Sequence, residues 1–383
     1  MILNIAPDDK FVPFLQGLFE EASPGESLWR VLTDTPNPTF AVQADNMEVI
    51  NGEYFGSEKF INDLLVANCV IFHSLSLSSR QKLLVLSRIP ETMPIVWRGW
   101  GFDYYGILQV NGLRLLLPET NSLIKRPGVL KRVLVKQFPR KFLKAIFSKM
   151  VGQIINNKLI ARINYFSCCV PDDFEALQRV LPNFEAQFLP LNYYSKEDVF
   201  LRGDSLQDLT GHDILLGNSA TPTNNHIEAM RVLSKLGMHG RKVIVPLSYG
   251  DMKYQEKIIQ VGEKLLGESF IPLTNYMSLP EYNQSVSGCG NLIMNHIRQQ
   301  AIGNISSALL RGGKVFLRPE NPIYKYYTRI GVKLFPFSDD ITIADLDAPP
   351  NKDDAFKNKE IMLSIWARAQ GIKNVKAISL LGK

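Results

Sequence analysis

The 383-residue sequence lacks several patterns that would place it in a simple class. It has no uncharged apolar run of about 20 residues, which is the length that a membrane-spanning helix needs. Its first residues show no basic segment followed by an apolar one, so we expect no signal peptide. Its four cysteines include no CxxC pair. We therefore expect buried, reduced thiols rather than a zinc clip or a disulfide framework. The cysteines are Cys69, Cys168, Cys169 and Cys289.

Acidic residues are missing from one long stretch. The formal net charge is +6, yet residues 120–171 contain eleven Lys or Arg and no Asp or Glu. From Lys125 to Lys149, apolar residues recur at helical spacing between the basic ones, and Pro139 is expected to divide this block into two short helices. The pattern favours docking on an anionic membrane surface. A core helix with a solvated basic face is the alternative, and nucleic acid is disfavoured because no nucleic-acid-binding motif accompanies the block.

Strand-like and helical patterns alternate along most of the chain. The first half contains the apolar runs MILNIA, ANCVIFHSL, MPIVWRG and ARINYFSCCV, and the second half contains six more between DILLGN and VKLFPF. This alternation predicts an α/β fold with parallel sheets covered on both faces. A polar stretch at residues 192–211 predicts a linker between a domain 1–200 and a domain 201–383, with the last helix able to return to the first domain. Two such domains usually bind ligand in the cleft between them.

The stretch ILLGNSATPTNNHIEA combines a strand end, a polar loop and a helix start. Gly217 allows a sharp turn after the strand. Asn225 and Glu228 have the spacing of an N-cap and its capping-box partner, so a helix is expected from about His226. The unpaired N–H groups of a helix start suit a phosphate or a carboxylate. An ordinary loop, capped only for stability, is the alternative interpretation.

Three more strand-end loops of the second half are polar. One carries Tyr249, one carries Arg298, Gln299 and Gln300, and one carries Asn321. The pattern places Arg298 in the first turn of a helix, where the helix dipole disfavours a cation. A bound anion would explain it, because a guanidinium forms bidentate hydrogen bonds with phosphate. The four loops together predict an edge that binds an anion and a sugar.

The motifs resemble a known family. The segments LLGNSATPTNNHIEAMR, VIVPLSYGD, EYNQSVSGCGNLIMNHIRQQAIGNISSAL and ENPIY, with WRGWGFDYY nearer the start, are similar to the 4-acetamido-4,6-dideoxygalactose (Fuc4NAc) transferases of glycosyltransferase family fifty-six. The likeness covers most of residues 94–325. It implies a GT-B fold, with two Rossmann-like domains facing each other across a cleft. It also implies a dTDP-sugar donor, an undecaprenyl-diphosphate-linked acceptor for bacterial surface polysaccharide, and a peripheral place on the cytoplasmic face of the inner membrane.

The resemblance also implies roles for individual residues, and it implies no cofactor. The residues that would bind the donor are Gly217, Asn218, Ser219 and Arg298 at the diphosphate, Gln299, Gln300 and Asn304 at sugar or phosphate oxygens, Tyr249 and Asn321 at the nucleoside or sugar, and His226 near the phosphate.

The residues themselves offer a catalytic candidate and no metal site. Asp103 is the candidate catalytic base, with His73 a weaker one, because a base is needed if the acceptor hydroxyl must lose its proton. The one Asp-x-Asp, Asp345–Leu346–Asp347, is expected in a loop rather than at a metal, so Arg298 and backbone N–H groups would neutralise the leaving diphosphate.

Two other functions stay open at this point. One is a transferase of the same fold with a different nucleotide-sugar donor. The other is a non-catalytic protein that binds nucleotide sugars at the membrane surface.

Overall fold

The computed structural model describes residues 1–124, 140–192, 195–199, 208–209 and 211–383, with the backbone alone described for residues 140–149, 198 and 199. The described chain forms two compact units. Unit 1 comprises Met1–Asn111, Leu130–Val199 and Trp366–Lys383, and unit 2 comprises Gly112–Val129 and Phe200–Ile365. Both units are discontinuous in sequence. Residues 112–129 group with unit 2 and residues 366–383 with unit 1.

Unit 1 is built on a parallel sheet of seven strands with the order β3-β2-β1-β4-β5-β6-β7. Buried apolar side chains of β1 and of the next strands form its core with the first helix. The strands are β1 (Ile2–Pro7), β2 (Ser27–Leu32), β3 (Met47–Ile50), β4 (Cys69–Phe72), β5 (Ile95–Arg98), β6 (Tyr165–Ser167) and β7 (Gln187–Phe188).

Unit 2 is built on a second parallel sheet of six strands with the order β10-β9-β8-β11-β12-β13. All six lie within the apolar runs that the sequence predicted as strands. They are β8 (Ile214–Leu216), β9 (Val243–Pro246), β10 (Phe270–Leu273), β11 (Asn291–Met294), β12 (Lys314–Leu317) and β13 (Phe335–Pro336).

Helices connect the strands, as a parallel sheet requires. In unit 1 they are α1 (Val12–Ala22), α2 (Glu58–Val66), α3 (Ser79–Arg88), α4 (Tyr105–Val110), α6 (Arg140–Ala161), α7 (Pro171–Val180), α8 (Lys196–Val199) and α16 (Arg368–Ser379). In unit 2 they are α5 (Pro118–Ile124), α9 (His226–Leu236), α10 (Met252–Leu266), α11 (Leu279–Ser285), α12 (Ile302–Leu310), α13 (Pro322–Arg329), α14 (Ile343–Asp347) and α15 (Lys352–Ile365).

The predicted capping box at the start of α9 is wrong. Asn225 takes the left-handed conformation, with φ 51°, and its side chain makes no cap hydrogen bond. Its Oδ1 instead accepts from the backbone N–H of Leu117 at 2.9 Å. The Glu228 carboxylate accepts from the N–H groups of Glu119 and Thr120. Both side chains therefore hold the 115–120 segment, which explains why that segment belongs to unit 2.

The C-terminal helix α16 completes unit 1. Val375 and Ile378 are fully buried in the same apolar cluster as Leu15 of α1. The two helices approach closely, since a Cβ built on Gly371 would lie 3.1 Å from a methyl group of Leu18. Helix α16 therefore belongs to the core of unit 1.

The predicted membrane-docking block falls mostly outside the described residues. Residues 125–139, including Pro139, are not described, and of residues 140–149 only the helical backbone of α6 is described. Docking through Lys125–Lys149 therefore stays a prediction. Among the helices that the structure describes, none is both long and apolar enough to cross a membrane.

Candidate functional site

The polar loops of unit 2 lie where its strand order reverses. From β8 the chain moves to β9 and β10 on one side and then returns to β11 on the other side. Ligands of doubly wound sheets bind at such a switch point, outside the carboxyl ends of the two central strands. The loops 217–225 and 295–301 follow β8 and β11 there. They contain most of the residues predicted to bind the donor.

Four of the predicted donor-binding residues form one chain of side-chain hydrogen bonds. Asn218 Nδ2 donates to the Tyr249 hydroxyl at 3.0 Å, and Gln300 Nε2 donates to Asn218 Oδ1 at 2.9 Å. Gln300 Oε1 accepts from Arg298 Nε at 2.8 Å and from the Thr223 hydroxyl at 2.7 Å. The structure thus brings three separate strand-end loops together at the switch point.

A second layer of amides locks the two central loops to each other. Asn224 Oδ1 accepts from the backbone N–H of Asn218 at 3.0 Å and pairs with His296 Nε2 at 2.7 Å. Asn225 Nδ2 donates to the Asn295 carbonyl at 3.2 Å, and Asn295 Nδ2 donates to the Asn225 carbonyl at 2.9 Å. Such a hydrogen-bonded network fixes the positions of the residues that it joins.

The backbone of both loops is strained at residues other than glycine. Asn225 and Ala301 take φ values of 51° and 58°, which cost β-carbon-bearing residues free energy. Strained positions of this kind cluster at functional sites, where the surrounding contacts impose them. Gly217, with φ 70°, has no room for a side chain, because an added Cβ would lie 2.7 Å from His226 Nε2. The turn predicted for Gly217 is therefore present, and its neighbours enforce it.

The predicted place of Arg298 in a helical turn is wrong. Helix α12 begins at Ile302, and Arg298, Gln299 and Gln300 lie in the loop before it. The left-handed residue Ala301 prevents the helix from extending back to them. The unfavourable dipole therefore does not explain Arg298. What singles it out is its hydrogen bond to Gln300 within the connected network.

The remaining predicted donor residues support these loops. Asn321 is fully buried and donates to the carbonyls of His296 and Arg298, both at 3.0 Å. Ser219 is buried and donates to the Thr221 hydroxyl. Gln299 is also buried, and Asn304 of α12 donates to the Tyr282 hydroxyl at 2.9 Å.

Two fully buried histidines support the network. His226 is fully buried, and its Nδ1 lies 3.1 Å from the Tyr254 hydroxyl. Burial lowers the pKa of His226 to about 3. Burial, and next the charge of Arg298, holds the pKa of His296 well below its ordinary value. Both are neutral supports, so the predicted contact between His226 and the phosphate has no accessible atom to make it.

In unit 1, Asp103 organises the loops after β4 and β5. Its Oδ2 accepts from Trp97 Nε1 at 2.7 Å and from the Leu75 N–H at 3.1 Å, and its Oδ1 accepts from the Trp100 N–H at 2.9 Å. Burial raises the pKa of Asp103, and these hydrogen bonds oppose the rise. Both oxygens are already engaged, which favours a positioning role over the predicted role of base.

His73 follows β4 and is fully buried. Its Nε2 lies 3.0 Å from Asn4 Oδ1, and its ring stacks on Trp29 with centroids 5.3 Å apart. Burial, and next the charge of Arg98, lowers the pKa of His73 to about 3. It is a core histidine, as its weaker standing among the candidates anticipated.

Thr223 and Asn224 were missed as functional candidates. Asn224 alone contacts Asn218, Ser219 and His296 through its side-chain amide. The sequence signal was present, because Thr-Asn-Asn follows directly after the predicted strand-end loop. A run of amides just before a helix was interpreted as capping, which concealed its role between loops.

Comparison with known proteins finds a similarity to one family. Residues 164–349 match the family model described as 4-alpha-L-fucosyltransferase glycosyl transferase group 56. Over those residues the chain is similar to the group 56 glycosyltransferases. The match spans the whole switch-point network of unit 2, and it confirms the resemblance predicted from the sequence motifs.

Solved structures confirm the fold of this chain. Ligand-free OtsA is similar with a TM-score of 0.57 at 10% identity, covering 99% of this chain and 97% of that one. AviGT4, a glycosyltransferase involved in avilamycin A biosynthesis, has a TM-score of 0.54 at 9% identity over 99% and 97%. Anabaena Alr3699/HepE, in complex with UDP and glucose, has 0.51 at 12% over 99% and 95%. These likenesses show a GT-B fold with two Rossmann-like domains.

The Asp-x-Asp of this chain is engaged in local structure. It lies in the short helix α14 rather than in the expected loop, because Thr342 and Asp345 form a capping box. Asp347 forms an ion pair with Arg241. Within the described ranges, no group of three or more His, Cys, Asp or Glu residues could hold a metal ion.

Proposed function

We propose that this glycosyltransferase moves a 4-acetamido-4,6-dideoxyhexose such as Fuc4NAc from a dTDP-sugar to an undecaprenyl-diphosphate-linked oligosaccharide, in the synthesis of a bacterial surface polysaccharide. The observation that carries the proposal is the hydrogen-bonded chain of Tyr249, Asn218, Gln300 and Arg298 at the switch point of unit 2. The sequence motifs supply the choice of sugar, and the family match supplies the class of reaction.

The chemistry of this chain suits a nucleoside diphosphate. The diphosphate gains negative charge as its bond to the anomeric carbon of the sugar breaks, so the enzyme must stabilise that charge. A guanidinium and a set of neutral amide donors provide this stabilisation, and none of them carries a negative charge that would repel the diphosphate. Amides held in place by Asn224 and Asn225 lose little freedom when the donor binds, which lowers the cost of binding.

The donor proposal is tested by a thermal-shift panel of dTDP, UDP, dTDP-sugars and UDP-sugars. A nucleotide present at 100 times its dissociation constant stabilises the folded state by about 2.7 kcal/mol. We expect dTDP and dTDP-Fuc4NAc to give the largest shifts. A larger shift with a UDP-sugar would instead favour a transferase with another donor. Slow release of dTDP from the bound sugar separates an enzyme from a non-catalytic binding protein, which would release none.

The acceptor proposal includes a place on the inner face of the bacterial inner membrane. It is supported by the basic block Lys125–Lys149. Each basic residue near an anionic surface contributes about 1 kcal/mol of binding. The described part of α6 continues the block with Met150 and Ile154, which are 59% and 55% exposed.

Vesicle co-sedimentation tests this docking. The wild type is compared with a variant carrying glutamine at six basic positions, namely Lys131, Arg132, Lys136, Arg140, Lys141 and Lys144. Wild type should bind anionic vesicles, leave them at high salt and ignore neutral ones, while the variant stays in solution. Equal sedimentation of the two proteins would remove the membrane from the proposal.

A further inference from the structure

A short segment from the first half of the chain is bonded to the start of helix α9 in unit 2. Residues 112–129 belong to unit 2, although the residues on both sides of them in the sequence belong to unit 1. Within this stretch, the 115–120 segment makes the hydrogen bonds, and its Leu115 and Thr120 are buried. The segment lies outside the residues 164–349 that match the family model, so the match assigns it no role.

The Glu228 carboxylate uses both of its oxygens for this segment. Its Oε1 accepts from the backbone N–H groups of Glu119 and Thr120, at 2.9 and 2.8 Å. Its Oε2 accepts from the Thr120 hydroxyl at 2.5 Å. Hydrogen bonds to an ionised acceptor contribute more to stability than those between neutral groups. Glu228 therefore anchors the segment to the first turn of α9.

Asn225 is the point where the segment meets both donor loops. The residue is fully buried. Its Oδ1 accepts from the Leu117 N–H at 2.9 Å, and its Nδ2 donates to the carbonyls of Leu115 and Asn295, at 3.1 and 3.2 Å. The Asn225 carbonyl accepts in turn from Asn295 Nδ2 at 2.9 Å. One side chain thus joins the segment to the loop after β8 and to the loop after β11.

The left-handed backbone of Asn225 depends on contacts of this kind. Its φ of 51° persists only where the surrounding structure imposes it. Its side chain makes no capping bond within its own helix, so the support comes from the segment and from the donor loops. The preceding residue, Asn224, accepts from the backbone N–H of Asn218. A release of Asn225 would therefore reach the loop that carries Asn218.

We propose that the 115–120 segment positions the donor site. By holding Glu228 and Asn225, it keeps the loops after β8 and β11 in the arrangement that binds a nucleoside diphosphate, and so increases donor affinity. A site that is fixed before binding loses less freedom when the ligand arrives. Glu228 and Asn225 are positioning residues, which act through Asn218 and Arg298. The inference deepens the proposed function and rests on it for the identity of the ligand.

The variants remove the anchor and leave the donor loops unchanged in sequence. Glu228→Ala deletes the carboxylate. Glu228→Gln keeps one acceptor oxygen for the two N–H groups, and its amide can donate to the Thr120 hydroxyl. Val332→Ala is the control for stability, because Val332 is buried in unit 2 between α13 and β13. It should lower the thermal midpoint of the protein without affecting the segment.

Two measurements on the full chain separate positioning from stability, at a temperature where every variant is folded. Isothermal titration calorimetry gives the dissociation constants of dTDP and UDP. Hydrogen exchange of the ligand-free protein, followed by mass spectrometry, reports the opening of the loop 295–301. This loop is distant in sequence from Glu228, so faster exchange there reports a change transmitted through Asn225 and Asn295.

We expect Glu228→Ala to weaken dTDP binding by about five-fold or more and to exchange faster at residues 295–301. Glu228→Gln should restore both measurements to within about two-fold of wild type, and Val332→Ala should match wild type in both. Unchanged affinity or unchanged exchange in Glu228→Ala would overturn the inference, and so would a glutamine variant as impaired as the alanine variant. If wild type binds neither dTDP nor UDP, the donor proposal fails, and the exchange at residues 295–301 alone decides whether the segment positions the loops.

Discussion

The two units share a topology but differ in the chemistry of their switch points. Unit 2 fills its loops with neutral amides that bond to one another, and the cation Arg298 is tied to Gln300 there. Unit 1 places carboxylates and aromatic rings at the equivalent edge, and it bonds Asp8 and Asp103 to backbone N–H groups. The difference teaches that the sheet determines where a ligand binds, while the side chains at the strand ends determine which charge the ligand can carry.

The largest expected effect is on the stability of unit 1. Its Arg30 guanidinium forms two hydrogen bonds with Asp63, at 2.7 and 2.6 Å, and the Tyr54 hydroxyl donates to the same carboxylate. Removing one partner of a buried pair costs about 3–5 kcal/mol. Asp63→Asn should lower the free energy of unfolding by that amount, measured by urea denaturation at neutral pH.

The acid dependence of this pair sharpens the prediction. Burial would raise the pKa of Asp63, but the hydrogen bonds of Arg30 and Tyr54 outweigh it and lower the pKa. The stabilisation is then present above the unfolded value of about 3.9 and is lost as the pH falls through the lower folded value. The difference in the free energy of unfolding between wild type and Asp63→Asn should therefore disappear in that pH range. A gap that is constant with pH would contradict the assignment.

The next effect concerns the cation of unit 2. Arg298→Lys replaces a bidentate fork with a point charge and breaks the bond to Gln300. Removing one group that stabilises developing charge costs on the order of 10² in turnover. We expect a loss of that size with the proposed donor, together with a smaller dTDP thermal shift. Unchanged affinity and turnover would remove Arg298 from the donor site.

A smaller effect compares two glycines of unit 2. Gly217 and Gly240 have φ values of 70° and 82°. Alanine at either position carries the left-handed strain, but within the described residues no atom lies within 4 Å of a Cβ at Gly240. The collision with His226 should make Gly217→Ala less stable than Gly240→Ala by about 1–3 kcal/mol. Equal thermal stabilities would show that the loop rearranges around the added methyl group without loss of stability.

The smallest expected effect is that of a chelator, for which we expect no change in transfer activity. Because Arg298 and the amides supply the charge stabilisation in the proposed mechanism, excess EDTA should leave transfer unchanged. Loss of activity in EDTA, followed by recovery with magnesium or manganese, would show that a metal supplies what unit 2 was proposed to supply.

Local patterns predicted the parts of the fold that local contacts determine. Continuous apolar runs such as Cys69–Phe72 were predicted as strands and are strands. Strands β2 and β3 were missed, because Arg30 and Glu48 interrupt their apolar pattern. Arg30 is buried only because Asp63, which lies 33 residues away, pairs with it.

The candidate site shows the same limit. The turn at Gly217 was predicted from its place at a strand end, and the structure has it. The roles of Asn225 and Glu228 were misassigned, because their partners lie 108 and 109 residues earlier in the chain. A capping motif is a local signal, and nothing in the spacing reveals a distant segment that competes for the same side chains.

The position of α16 has a consequence for how the chain is made. Residues 366–383 supply Val375 and Ile378 to the core that α1 begins. During synthesis, the residues of unit 2 up to Ile365 therefore leave the ribosome before unit 1 can close. The nascent first unit carries an uncovered apolar face on α1 throughout that interval. Unit 2 can finish folding before the unit that precedes it, which reverses the usual order of N-terminal domain first.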